Sequence, residues 1–200
     1  IGKIGIMAGL FLSNAATASG TPLVFIHGIK GSTLVDEKGG TGWLNAWHAL
    51  GISTPALSLP LQWVFEGAPL RQKKDQWHAG AVLEHVTVVP ALLGEEVYGP
   101  WLEAAKKTGR PFYAFAYDWR RDNLETLELF EKFLEDVRSK NQQKAPQVVA
   151  HSMGGLISWA LMQKRPELFS SVVFAGVPFS GGIGFLPDLH EGARTGLNSR

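Results

Sequence analysis

The sequence predicts an α/β protein with a doubly wound, mostly parallel sheet. Short, continuous apolar runs rich in strand-forming residues recur along the chain, and helical patterns separate the later runs. A run that is apolar at every position is typical of a strand buried on both faces, as in a parallel sheet. With 45% hydrophobic and 18% charged residues, a chain of 200 residues suits one globular domain with a sizeable core.

Four apolar runs are predicted to form the sheet, at residues 23–26, 112–117, 148–150 and 172–177. Over 124–137, leucine, phenylalanine and valine recur at steps of three and four, which places them on one face of a helix. Strands that alternate with helices give a parallel, doubly wound sheet.

Residues 97–107 and 156–165 carry two more helical patterns, and Pro166 stops or bends the second. Asp122 and Glu125 can form a capping arrangement at the start of the helix predicted at 124–137.

Residues 36–100 interrupt this alternation and are predicted to be an insertion that resembles a cap or lid. The stretch shows no clear period and contains glycines, prolines and Trp43, Trp47, Trp63 and Trp77. A connection of this length is usually functional or carries small elements of its own. The tryptophans could form a lid or a membrane-facing surface, or they could fill a small cap core.

The N-terminal segment 1–18 is predicted to be a secretory signal peptide. Lys3 precedes an apolar run, and small residues follow up to Ala16-Thr17-Ala18, an A-x-A cleavage pattern. The run is too short to span a bilayer, and its alternatives are a buried first strand or a short anchor helix. We therefore expect an exported protein, periplasmic or secreted, with one domain over 19–200. Because the chain begins with Ile1, we expect its natural start to be missing.

Charge and composition exclude several classes of function. The net charge is +1, and the scattered basic residues provide no footprint for nucleic acid. The chain has no cysteine, so disulfides, thiol catalysis and cysteine-ligated metals are excluded. No His/Asp/Glu spacing resembles a zinc site and no glycine-rich loop has the phosphate-binding pattern, so we expect no metal and no other cofactor.

The segment Ala150-His151-Ser152-Met153-Gly154 carries the strongest functional signal. An apolar strand stops here, glycines follow and a helical pattern begins; in α/β-hydrolases this strand–turn–helix setting makes a serine the nucleophile. Ala150 stands where the usual pattern has glycine, and a slightly more open turn can accept its methyl group. The alternative is a glycine-rich loop with an ordinary serine. The flanking strand and helix favour Ser152 as a catalytic nucleophile.

A serine nucleophile also needs backbone N–H groups that stabilise the oxyanion. Met153, directly after the nucleophile, is predicted to supply one. The loop after the first strand, 27–31, is predicted to supply the other from Ile29, with Lys30 as the alternative. Gly28 lets the backbone turn close to the substrate, so Gly28 and Lys30 are also candidate substrate-binding residues.

The base and the acid of a catalytic triad have no clear counterpart in the sequence. In α/β-hydrolases an Asp or Glu, and then a His, follow the nucleophile. After Ser152 the chain contains one aspartate, Asp188, and one histidine, His190, which lie too close together to come from separate loops. We expect both partners beyond Arg200, in which case the chain is an incomplete N-terminal portion that ends after about the sixth strand. His27 is expected to hold the oxyanion loop through hydrogen bonds.

Further motifs surround this elbow. Segments 25–34, 97–101, 115–120 and 176–182 read F-I-H-G-I-K-G-S-T-L, V-Y-G-P-W, F-A-Y-D-W-R and G-V-P-F-S-G-G. Together with H-S-M-G-G at the nucleophile they resemble the lecithin:cholesterol acyltransferase-like family of α/β-hydrolases, over about residues 22–185. The oxyanion turn has His-Gly where the family often has Pro-Gly, and the family's paired cysteines are absent.

The resemblance implies serine-dependent acyl chemistry on lipid esters through an acyl-enzyme on Ser152. Water or an alcohol would accept the acyl group, so a hydrolase (lipase or phospholipase) and an O-acyltransferase both stay open, as do the acyl donor, the acceptor and the oligomeric state. Contact with a membrane or lipid surface would accompany such a substrate. The alternative is a noncatalytic protein that uses the fold for binding.

Asp118 and Arg120 stand beside apolar neighbours at a strand end. Charges next to a buried strand are costly unless they are paired. We expect the two to form ion pairs that pin the loop to the following helix; the alternative is that they line the pocket.

Overall fold

The computed structural model describes residues 20–44, 57–59, 75–89, 93–181 and 186–191, so the segment 1–18 predicted to be a signal peptide lies outside the described residues. The strands are β1 (Leu23–Ile26), β2 (Ser32–Val35), β3 (Thr41–Trp43), β4 (His78–Val82), β5 (His85–Val89), β6 (Leu93–Glu96), β7 (Phe112–Phe115), β8 (Gln147–His151) and β9 (Ser171–Ala175). The helices are α1 (Gly99–Lys107), α2 (Asn123–Lys140), α3 (Met153–Lys164) and α4 (Leu186–Glu191), with a 3-10 turn at Pro166–Leu168. None of the helices within these ranges is long and apolar enough to cross a bilayer.

The central sheet is parallel and has the strand order β7-β1-β8-β9. Ile26, the last residue of β1, is in register with Phe115 on one side and Ala150 on the other. Because these strands run in the same direction, the loops that follow them meet at one edge of the sheet. The loop after β1 and the turn after β8 therefore lie side by side.

Helices cover both faces of this sheet, which confirms the doubly wound, mostly parallel α/β class. Val24 and Ile26 pack in the core that contains the buried faces of α2 and α3. Phe25 points to the other face and packs with Leu102 of α1. Burial on both faces explains why β1 is apolar at every position.

Several element boundaries differ from the prediction. Helix α3 begins at Met153 and not at 156, because Gly154 and Gly155 belong to the helix and not to a loop. Strands β7 and β9 end at Phe115 and Ala175, before the predicted 117 and 177.

The start of α2 confirms half of the predicted capping arrangement. The Asp122 carboxylate accepts a hydrogen bond from the Leu124 N–H at 2.8 Å. Glu125 does not complete the reciprocal cap; its carboxylate pairs with Arg121 at 2.7 Å.

The stretch predicted as an insertion contains small β elements. Its strands β3 and β4 pair with opposite edges of β2, which precedes the insertion, to form an antiparallel sheet, and β5 with β6 forms a hairpin. Trp43 and Trp77 are partly buried against the main core, and Trp43 meets Trp119 edge to face at 5.5 Å. These two tryptophans therefore act as packing side chains, while Trp47 and Trp63 lie outside the described residues.

Arg120 joins the insertion to the end of β7. Its guanidinium lies 2.6 Å from the Asp118 carboxylate and 2.8 Å from that of Asp75, and it donates to the Leu57 carbonyl at 3.2 Å. The Arg120 side chain is only 4% exposed. Burial disfavours the charge, but the hydrogen bonds that Arg120 donates to both aspartates raise the pKa of Arg120 above its ordinary value. The expected ion pair between Asp118 and Arg120 is present. The expectation that it pins the loop to the following helix is wrong, because the other partners of Arg120, Asp75 and Leu57, belong to the insertion.

Candidate active site

Ser152 occupies a strained turn between β8 and α3. Its φ is 51° and its ψ is −122°, a conformation that residues other than glycine avoid at a cost of about 1–3 kcal/mol. Two backbone hydrogen bonds of 2.9 Å hold it: the Ser152 N–H donates to the Ala175 carbonyl, and the Gly155 N–H donates to the Ser152 carbonyl. A serine held in strain between strand and helix has the geometry of a nucleophile elbow.

The two glycines after this turn are required by close packing. A methyl group at Gly154 would overlap the His27 carbonyl oxygen, and one at Gly155 would overlap the Val177 side chain. The first turn of α3 can therefore lie directly against the end of β1. Ala150, in the position of the usual first glycine, is fully buried.

The Ser152 side chain faces the loop after β1. A methyl group at Gly28 would lie 2.8 Å from the Ser152 Cβ and 3.3 Å from its Oγ. Only a glycine lets the two backbones approach this closely without displacing the hydroxyl. The structure thus brings together Gly28 and Ser152, which are far apart in sequence.

Residues 28–31 form a tight turn in which the Gly31 N–H donates to the Gly28 carbonyl at 3.2 Å. Lys30 has a φ of 61°, as the third residue of a type II turn does. Among the described residues, no hydrogen bond is made by the backbone N–H of Ile29, Lys30 or Met153. Both predicted oxyanion donors, the N–H groups of Ile29 and Met153, are therefore without a hydrogen-bond partner in the described part of the chain.

His27 orients the peptide that carries the Ile29 N–H. The His27 Nδ1–H donates to the Gly28 carbonyl at 2.7 Å. In a planar trans peptide the C=O and the N–H point in opposite directions, so holding the Gly28 carbonyl also sets the direction of the Ile29 N–H. The expected hydrogen bonding of His27 to this loop is present.

The His27 ring itself is buried and clamped. Its Nε2 accepts a hydrogen bond from the Tyr117 N–H at 3.2 Å, which fixes the proton on Nδ1. The Tyr117 hydroxyl donates to the His27 carbonyl at 2.9 Å, and the two rings stack at 4.2 Å. Burial lowers the pKa of His27 to about 4, so the imidazole is neutral at physiological pH.

Sequence reasoning missed Tyr98 as a part of this site. The Gly28 N–H donates to the Tyr98 hydroxyl at 3.2 Å, and that hydroxyl shares a hydrogen bond of 2.8 Å with His151 Nδ1. In the sequence, only the V-Y-G-P-W segment drew attention to Tyr98, and a motif of this kind does not show which residues a side chain contacts.

The described residues do not assemble a triad. The Ser152 hydroxyl has no hydrogen-bond partner among them, and His190 is exposed on α4; the Asp188 side chain lies outside the description. Nor does the described part of the chain hold a group of three or more His, Asp or Glu side chains that could bind a metal ion.

A cavity of about 750 Å³ lies elsewhere, between the insertion, β7 and α2. Its walls include Trp77, Phe115 and Phe133. Neither Ser152 nor any residue of the loop 27–31 is among the described residues that line it.

Comparison with known proteins extends these observations. Residues 104–191 match the family model of the alpha/beta hydrolase fold. Over 84 residues the chain is 34% identical to lecithin-cholesterol acyltransferase-like 4 of Arabidopsis thaliana, a match that covers 39% of this chain and 16% of that protein. Over 88 residues it is 31% identical to phospholipase A(1) LCAT3 of the same plant, covering 41% of this chain and 20% of the relative.

The chain therefore spans about a fifth or less of the length of these curated relatives. No solved structure matches it significantly. The α/β-hydrolase fold class and the resemblance predicted from the sequence are confirmed.

Proposed function

We propose that this chain, an α/β-hydrolase similar to the lecithin:cholesterol acyltransferase-like proteins, carries the nucleophile of a serine-dependent lipid acyl hydrolase or O-acyltransferase. The proposal depends on Ser152, which sits in a strained turn and faces a loop with available N–H groups. The names of the two relatives, one acyltransferase-like and one a phospholipase A(1), support a lipid ester as the substrate.

In the proposed reaction the Ser152 Oγ attacks the ester carbonyl carbon and its proton passes to a histidine base. The N–H groups of Ile29 and Met153 stabilise the negative oxygen, with the Lys30 N–H as the alternative donor. Collapse of this intermediate breaks the ester C–O bond, and the alcohol leaves with the proton. Water or an acceptor alcohol then attacks the acyl-Ser152, giving a fatty acid or a new ester. The acid and the base would follow Ser152 in the chain order of this fold.

Export and contact with lipid complete the proposal. The segment 1–18 would direct export of a domain over 19–200, to the periplasm or beyond. Ile29, beside the nucleophile, exposes 57% of its surface. A lipid ester would be presented by a membrane or lipid surface, so contact with such a surface belongs to the proposal.

Incubation of the full-length protein with phosphatidylcholine vesicles, with and without a sterol, tests this function. We expect fatty acid release, with sterol ester as an added product if an alcohol is accepted. Ser152→Ala should lower kcat by at least about 10⁴-fold. Ser139→Ala, an exposed serine on α2 whose hydroxyl binds the Asp136 carbonyl, is the matched control and should leave the rate unchanged. Equal activity of the wild type and Ser152→Ala would refute the proposal, and lipid binding without turnover would favour the noncatalytic alternative.

A further inference from the structure

We infer that Tyr98 is a positioning residue that aims the proposed oxyanion donor by joining the loop after β1 to the nucleophile turn. The inference rests on the proposed function of Ser152. It concerns a residue that acts through its hydrogen bonds to Gly28, the neighbour of the proposed donor Ile29, and to His151, the neighbour of Ser152.

A single phenol oxygen makes the connection. It accepts a hydrogen bond from the Gly28 N–H at 3.2 Å and shares one of 2.8 Å with Nδ1 of His151, the residue before Ser152. The ring packs edge to face on Phe25 at 4.9 Å and on His151 at 5.6 Å. One side chain thus bridges the ends of β1 and β8.

The connection matters because glycine has the least restricted backbone. Two successive peptide planes flank Gly28. In the first, the His27 carbonyl accepts from the Tyr117 hydroxyl and the Gly28 N–H donates to Tyr98. In the second, the Gly28 carbonyl is held by His27 and the Ile29 N–H is available. Tyr98 therefore makes one of the two hydrogen bonds that hold the peptide between His27 and Gly28. The orientation of that peptide limits the orientation of the next one, which carries the Ile29 N–H.

Backbone contacts fix Tyr98 in turn. Its N–H is shared between the carbonyls of Leu83 and Glu84, at 3.2 and 3.1 Å, and the Gly99 N–H donates to Glu84 at 2.7 Å. Burial raises the pKa of Tyr98, although the hydrogen bond from the Gly28 backbone opposes the rise, so the hydroxyl stays protonated. The phenol is therefore a rigid, protonated link.

Tyr98→Phe removes only the hydroxyl and keeps the ring contacts. We expect the full-length variant to hydrolyse p-nitrophenyl butyrate with kcat lowered about tenfold and KM changed less than about twofold, because a donor is loosened and not removed. Its Gly28 amide should exchange with solvent faster. Tyr113→Phe is the matched control, since it removes a hydroxyl that binds Asn141 at the far end of β7, and should change neither quantity.

A second variant, His151→Leu, removes the other end of the link. We expect it to lower kcat to a similar degree, and the double variant with Tyr98→Phe to be little slower than either alone, since both act through one chain of hydrogen bonds. Fully additive losses would overturn the inference.

Two further outcomes would also overturn it. One is a wild-type kcat with unchanged Gly28 exchange in Tyr98→Phe. The other is a lower kcat in Tyr98→Phe together with an altered KM and a lower melting temperature, which would indicate a merely structural role. Failure of the proposed function looks different: wild type and Ser152→Ala would then be equally inactive, and the role of Tyr98 would fall with it.

Discussion

The two turns that meet at the edge of the sheet are held in different ways. The turn at Ser152 is held by near neighbours in the chain: Gly155 closes it with a hydrogen bond, and Gly154 lets α3 lie against β1. The backbone hydrogen bond of Ser152 that reaches farthest in sequence goes to Ala175, on the adjacent strand. To form, this turn needs little more than the strand before it, the two glycines after it and the helix that they begin.

The turn at 28–31 depends on side chains that are distant in sequence. Tyr98 holds the Gly28 N–H and Tyr117 holds the His27 ring. The Trp43 indole donates to the Lys30 carbonyl at 3.3 Å. The turn at Ser152 is therefore encoded mainly by local sequence, whereas the proposed oxyanion turn is built by tertiary contacts, two of which come from the insertion.

The largest test of this contrast is Arg120→Met, which cuts the link between insertion and sheet. Asp118 and Asp75 would be left buried without a cation, so we expect a loss of about 3–5 kcal/mol in the free energy of unfolding. Urea denaturation measures it. Arg165→Met is the control: Arg165 pairs with Glu131, Glu135 and Glu167 at the surface, where water screens the charges, so its loss should cost much less stability than that of Arg120. Equal losses of unfolding free energy in the two variants would contradict the conclusion that the ion pairs of Arg120 are buried.

The next effect is the pH dependence contributed by His27. Its pKa is about 4 in the folded state against an ordinary 6.5, so between these values the unfolded chain binds a proton that the folded chain does not. The stability that the neutral His27 contributes is therefore fully present above about pH 6.5. About 3 kcal/mol of it is lost as the pH falls towards 4. Denaturation of the wild type and His27→Asn across this range checks it; the variant should show a flatter profile, and parallel profiles would show that His27 is not the cause.

Gly154→Ala tests the locally encoded turn. The added methyl group would overlap the His27 carbonyl oxygen, so we expect the free energy of unfolding to fall by about 2 kcal/mol and α3 to be pushed away from β1. Gln163→Ala, at an exposed position of the same helix, should be close to neutral. A stable and fully active Gly154→Ala protein would show that the close approach of helix and strand is not needed.

The smallest effect is expected from Trp43→Phe, which keeps an aromatic ring against Trp119 but loses the hydrogen bond to Lys30. We expect a loss of about 1 kcal/mol together with reduced esterase kcat. Trp119→Phe is a matched control, because its indole N–H donates to Ser32 in β2, at 3.3 Å. Trp119→Phe should lose similar stability with less effect on kcat. A larger loss of kcat in Trp119→Phe than in Trp43→Phe would show that Trp43 does not influence the oxyanion turn.

The same contrast explains what could be predicted from the sequence. The four sheet strands and the elbow follow from apolar runs and glycine spacing, which are local. Strands β2 and β4 could not be predicted, because they are short and depend on pairing within the small sheet β3-β2-β4, which no local pattern reports. The link from Gly28 through Tyr98 to His151 joins residues far apart in sequence, and no spacing rule reports such a contact.

Covalent labelling tests the central claim most directly. The full-length protein would be treated with a fluorophosphonate probe, digested and examined by mass spectrometry. We expect one adduct, on the peptide that contains Ser152, absent in Ser152→Ala and retained in Ser139→Ala. An adduct on a different serine, or hydrolysis of lipid esters by a protein whose Ser152 stays unlabelled, would contradict the account.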